Sequence, residues 1–192
     1  MAQVHLTQVP EADAFLSKDP LALLTGMLLD QQFPMERAFA APYTLAERLG
    51  VSELDATEIA AHDPDAFATL FAGPPALHRF PGAMAARVQA LARIVRDEYG
   101  GDAAALWQTA DSGSELLARV RKLPGFGEQK AKIFVALLGK QYGVELGGWR
   151  EAAGPYGLDG SFRSVADVTG PDSLLKVREF KKQAKAAAKS TN

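Results

Sequence analysis

Cysteine is absent from the 192 residues, which excludes disulfides and thiolate metal sites. Histidine is scarce, and neither His5 nor His62 has partners at a spacing that suggests metal ligation. No apolar run approaches the ~20 residues of a membrane span. The N-terminus lacks the basic-then-apolar pattern of a signal peptide, so the expected location is the cytoplasm. A basic excess is missing as well. The net charge is −2 and the pI is near 5.9, which argues mildly against a nucleic-acid partner.

What is present is material for a core: 47% of the residues are hydrophobic, punctuated by 17 Gly and 11 Pro. Richness in Ala and Leu favours many short helices. The length suits one compact unit, 1–192, or two lobes sharing a core. The charges are segregated. Glu53, Asp55, Glu58, Asp63 and Asp65 lie in a stretch without Lys or Arg, whereas Lys176, Arg178, Lys181, Lys182, Lys185 and Lys189 face one acid, Glu179. Such a bipolar molecule can bind a polyanion with one face; the alternative for the basic tail, 176–192, is a solvated helix.

The stretch around which the chain is organised is Leu116 to Lys140, LLARVRKLPGFGEQKAKIFVALLGK. It reads as two helices joined by a tight turn, a hairpin spanning 114–140 with Ser114 as N-cap. Pro124 stops the first helix, and Gly125 and Gly127 free the backbone on either side of Phe126. The second helix carries Ala131, Phe134, Leu137 and Leu138 on one face. Amides of the two glycines, beside a helix N-terminus, make a small anion site, with Lys122, Lys130 and Lys132 around it. Turn carbonyls could hold a monovalent cation, K+ or Na+, that bridges to a phosphate. An ordinary αα-corner is the plain alternative.

Further segments have readable chemistry. Asp19 and Pro20 open a helix whose residues Leu21, Leu23, Leu24, Met27, Leu28 and Leu29 leave almost no polar face, so it belongs at the centre. It gives way abruptly to Asp30-Gln31-Gln32-Phe33-Pro34. A helical pattern from 34 to 50 is interrupted near Pro42, and short helices over 55–62 and 64–72 open at Asp55 and Asp63. Met84, Val88, Leu91 and Val95 mark a long amphipathic helix that ends at Gly100-Gly101. Residues 143–157 form a Gly-rich loop, long for a connector, whose Trp149 and Tyr156 either stack on a base or anchor the loop.

LPGFGEQKA resembles the helix-hairpin-helix motif of the HhH-GPD superfamily of DNA glycosylases, and two other segments extend the likeness. LLLDQQFPMERAF is similar to the family's segment in which a buried helix delivers glutamine to DNA, here Gln31 or Gln32, with Gln32 favoured. Leu158-Asp159-Gly160, followed by Arg163, resembles the segment bearing the catalytic aspartate, which implies Asp159. The gap from the hairpin to Asp159 is longer than the family shows; a gapless placement falls near Glu145 or Leu146. If the loop is no insertion, Asp159 is only a helix cap.

The resemblance implies an all-α, two-lobed HhH-GPD fold, with one lobe about 35–110 and the other 1–34 plus 111–192. It further implies a monomer that binds double-stranded DNA on the nucleoid and excises a flipped base. The DNA contacts it implies are Gln31, Gln32, Leu123, Gly125, Phe126, Gly127, Gln129, Lys130 and Arg163; His78 or Arg79 could also reach DNA. Gln129 stands where bifunctional members carry a nucleophilic lysine, and an amide forms no Schiff base. Lys130 is rotated from it by roughly 100°. The implied enzyme is therefore monofunctional, with water as nucleophile and no AP lyase activity. It needs no cofactor, and without cysteine it cannot hold the iron–sulfur cluster that some members of the superfamily carry. A non-catalytic or structure-specific DNA-binding protein and a helical protein-interaction module are the other readings.

Overall fold

The computed structural model describes residues 3–191. Among them the chain is all-α, with eleven α-helices, two 3₁₀ turns and no strand. No helix among the described residues is long and apolar enough to cross a membrane.

Helix α2 (Pro20–Leu29) is the axis, and every side chain from Leu21 to Leu29 is buried. Its start is fixed twice by Asp19, which accepts from Ala22 N–H at 2.9 Å and from Leu54 N–H at 2.7 Å. The first bond caps the helix; the second ties it to a segment 35 residues away. On one side α2 packs against α3 (Met35–Leu49), so closely that a Cβ on Gly26 would come within 2.6 Å of Phe39 Cδ1. The expected break near Pro42 does not occur, because one helix runs through it. Proline forfeits a single hydrogen bond there, and burial of Ala38, Phe39, Leu45 and Ala46 around it offsets that loss.

α1 (Pro10–Lys18) also packs on α3. α4 (Ala56–Ala61) and α5 (Pro64–Ala72) are capped by Asp55 and Asp63, which accept from the amides of Glu58 and Ala66. Both lie on α6 (Pro81–Tyr99), which stops at Gly100 with φ 62°. α7 (Ala105–Gln108) leads to the hairpin helices, α8 (Gly113–Arg121) and α9 (Glu128–Gln141). The Gly-rich stretch contains α10 (Trp149–Ala153) and the 3₁₀ turn Gly154–Gly157. Trp149 is buried, with Gly139 and Gly113 both so close that a Cβ on either would clash. It anchors the loop. The second 3₁₀ turn, Val165–Asp167, precedes α11 (Pro171–Ser190). One apolar core runs through the described residues, with α2 touching α3 on one flank and the hairpin on the other.

Candidate nucleic-acid interface

Ser112, not Ser114, caps α8, its hydroxyl accepting from Glu115 N–H at 3.2 Å. The expected cap lies inside the first turn because α8 begins two residues earlier than a Ser114 cap would give, at Gly113. After α8 the chain turns tightly, with Phe126 N–H donating to Leu123 O at 3.1 Å. Leu123 and Phe126 are 3% and 4% exposed. Their side chains belong to the core, Phe126 meeting Phe134 edge-on, so the DNA contact expected of them reduces to main-chain atoms. The two glycines differ. Gly125 has φ +78°, and a Cβ there would lie 2.6 Å from Leu28 Cδ1, so it is glycine for conformation and for space. Gly127 has φ −78° and nothing within 4 Å of an added Cβ. Ala131 N–H, bonded to Gly127 O at 2.9 Å, is the first amide of α9 held by the helix. The amides of Glu128, Gln129 and Lys130 before it, at the positive end of α9, donate to no group of the described fold.

Beside this turn lies a cleft of about 640 Å³. Asp30, Gln31, Gln32 and Phe33 enter it from the end of α2, Gln129, Lys130 and Ile133 from α9, Tyr156 from the second half of the loop, Arg163 from the following segment, and Phe180 and Lys181 from α11. Five residues implied as DNA contacts by separate segments thus line one cavity: Gln31, Gln32, Gln129, Lys130 and Arg163.

Their states differ. Gln31 is engaged, donating from Nε2 to Leu28 O at 2.9 Å and accepting from Arg87 at 3.2 Å; it is a helix C-terminal cap. Gln32 is exposed, with φ 50°, at the cleft mouth. Gln129 donates to Tyr156 Oη at 2.9 Å. Arg163 stacks over Phe180 at 5.1 Å. Lys130 donates to Leu28 O at 3.0 Å, and burial pulls its pKa down to about 8, against the pull of nearby Asp30. Asp30 is pushed up from the ordinary carboxylate range by burial, with Lys181 and Lys130 opposing.

His78 is buried. Phe80 N–H donates to its Nδ1, leaving the Nε2 proton to the carbonyls of Leu29 and Gln31 at 3.1 and 3.0 Å. It latches the turn that presents Asp30 and Gln32 rather than reaching DNA itself, and burial lowers its pKa. Arg79 is exposed and lies over Phe80.

Asp159 is elsewhere. Its side chain is 76% exposed, both oxygens are held by Arg150 at 2.9 and 3.1 Å, and it does not line the cleft. Nor does it cap a helix, since the next 3₁₀ turn is capped by Ser164. Glu145 is exposed and also outside the cleft. The buried acid of this segment is Asp167, paired with Lys140 at 2.6 Å and accepting from Arg163 N–H at 2.8 Å. It holds the loop to α9. The cleft carboxylate is therefore Asp30, which the resemblance does not point to; its signal was a charge ending an otherwise apolar helix.

A second groove, about 590 Å³, lies between the N-terminal segment and the start of α11. Its acid, Asp13, is spent on the amides of Leu6 and Thr7. Among the described residues no cluster of His, Asp and Glu is arranged to hold a metal ion. No family model matches the chain, and no curated protein matches it.

Proposed function

We propose that the protein is a monofunctional DNA glycosylase that everts a damaged or mismatched base into the cleft beside the hairpin and hydrolyses its N-glycosidic bond. The observation that supports this reading is the convergence of Gln31, Gln32, Gln129, Lys130 and Arg163 on one cleft next to an open glycine turn. The cleft has the size of a small-molecule site, about 300–1,000 Å³. Phe33, Tyr156 and Phe180 offer apolar faces for a base, and the amides of Gln32 and Gln129 offer donors and acceptors for its edge. The amides before Ala131 take a phosphate of the same strand, and the lysines of α11 take flanking phosphates.

The turn carbonyls of Pro124, Gly125 and Phe126 suit a monovalent cation, since Leu123 O and Gly127 O are already taken by Phe126 and Ala131 N–H. Such a cation would add positive charge at the phosphate. With Gln129 in the hairpin helix, water is the nucleophile and the strand stays intact.

Duplexes carrying uracil, alkylated purines, oxidised bases or mismatches test this reading. Release of a free base, leaving an alkali-labile abasic site, is the expected result. The second reading, a structure-specific DNA-binding protein without chemistry, is favoured by the exposure of Asp159. Salt-sensitive duplex binding without base release would establish it.

A further inference from the structure

A glycosylase of the proposed kind needs a carboxylate near the scissile bond, and the segment bearing Asp159 and Glu145 brings none into the cleft. Every aspartate that is buried elsewhere is consumed by the fold. Asp13 accepts from Leu6, Thr7 and the Thr7 hydroxyl; Asp19 caps α2 and binds Leu54 N–H; Asp167 pairs with Lys140 and caps its own turn. Asp30 is the exception. It is the one acidic side chain among the described residues lining the cleft, and its carboxylate takes no hydrogen bond from the protein.

Its backbone, by contrast, is fixed. Asp30 N–H donates to Gly26 O and Met27 O, and His78 clamps the carbonyls of Leu29 and Gln31 on either side. A rigid mount with unspent lone pairs is what a reacting group requires and a structural one does not. Lys130 and Lys181 lie close enough to favour its charged form, against the opposing effect of burial, without forming an ion pair with it. Burial makes it more basic than a surface carboxylate, the direction a proton acceptor needs.

Resting on the glycosylase reading, we propose that Asp30 is the catalytic carboxylate of the cleft. The C1′–N bond of the everted nucleotide breaks and its electron pair leaves with the base. The ring oxygen shares a lone pair with C1′, and the Asp30 carboxylate lies against the resulting oxocarbenium. Water then attacks C1′ while Asp30 takes its proton and passes it on to the departed base. One water is consumed, and the products are a free base and an abasic sugar, with no change of oxidation state.

The test compares Asp30→Asn with Asp159→Asn on whichever duplex of the panel the native protein processes fastest. Single-turnover base release, duplex affinity and thermal melting are measured together. Asp30→Asn should lose roughly a thousandfold in release, with affinity unchanged or tighter and melting little altered. Asp159→Asn should stay within about threefold of native. Because Asp30 makes no side-chain bond, Asp30→Ala should also fold, and formate should restore part of its activity. Native-like release by Asp30→Asn, or no rescue of Asp30→Ala, overturns the assignment while leaving the glycosylase reading intact. No release by the native protein from any duplex overturns the reading and the assignment with it.

Discussion

The floor of the cleft and the 158–167 loop each set acids beside cations, to opposite ends. In the loop, Asp167 and Lys140 are both nearly buried and pair at 2.6 Å, and Ser161, Arg163 and Ser164 use the remaining acceptor capacity. At the cleft floor, Lys130 turns its Nζ to Leu28 O, and Asp30 is left without a partner. One site has spent its polarity on holding a segment in place; the other has kept it. On the proposed assignment, what separates the two acids is not nearness to a motif but whether the carboxylate is unspent on a rigid mount.

The largest effect that would sharpen this contrast is on stability. Asp167→Ala leaves Lys140 buried without its counter-charge, which should cost about 3 kcal/mol or more. Asp30→Ala removes no side-chain bond and should cost much less. Denaturant unfolding of the two variants compares them, and equal losses would erase the distinction between a consumed acid and a free one.

The two turn glycines give the next effect. Gly125→Val meets both a left-handed backbone and Leu28, and should destabilise by about 2 kcal/mol. Gly127→Val has an ordinary φ and open space, so the fold should hold while a branched side chain shields the amides at the start of α9. Its duplex affinity should fall with little dependence on base sequence. Unchanged affinity would remove this turn from the phosphate contact.

The last effect is a pH dependence. Lys130 titrates near 8 in the fold, against an ordinary 10.5. Between those values the unfolded chain binds more protons, so this residue makes stability rise with pH from about 8 to 10.5. Below 8 its cost is constant. Asp30 and Lys181 line the same cleft and Arg87 lies nearby. The native protein minus Lys130→Met, measured by unfolding at pH 7.5 and 10, should show that rise; parallel curves would mean that Lys130 is solvated.

Local chemistry was legible in the residues. Asp19, Asp55 and Asp63 announce helix starts through their capping geometry, the apolar run from Leu21 announces a central helix, and Leu-Pro-Gly-Phe-Gly announces a hairpin. Packing overrides propensity in two places: α3 passes through Pro42, and α10 forms in the Gly-rich loop because Trp149 is seated against Gly113 and Gly139. The cleft itself was legible only as separate pieces. Asp30 and Lys181 are 151 positions apart, and nothing periodic links them. Asp159 carried the motif, yet Arg150 holds it at the surface.

The central claim is that an everted base occupies the cleft. Ile133→Trp places a large ring inside it without touching the hairpin turn. A duplex with 2-aminopurine next to the lesion reports eversion, since the probe brightens when its neighbour leaves the stack. With the native protein and with Asp30→Asn the probe should brighten on binding. With Ile133→Trp it should stay dark although the duplex is still bound. Equal brightening with Ile133→Trp would contradict the account, because the base would then be going somewhere other than the cleft.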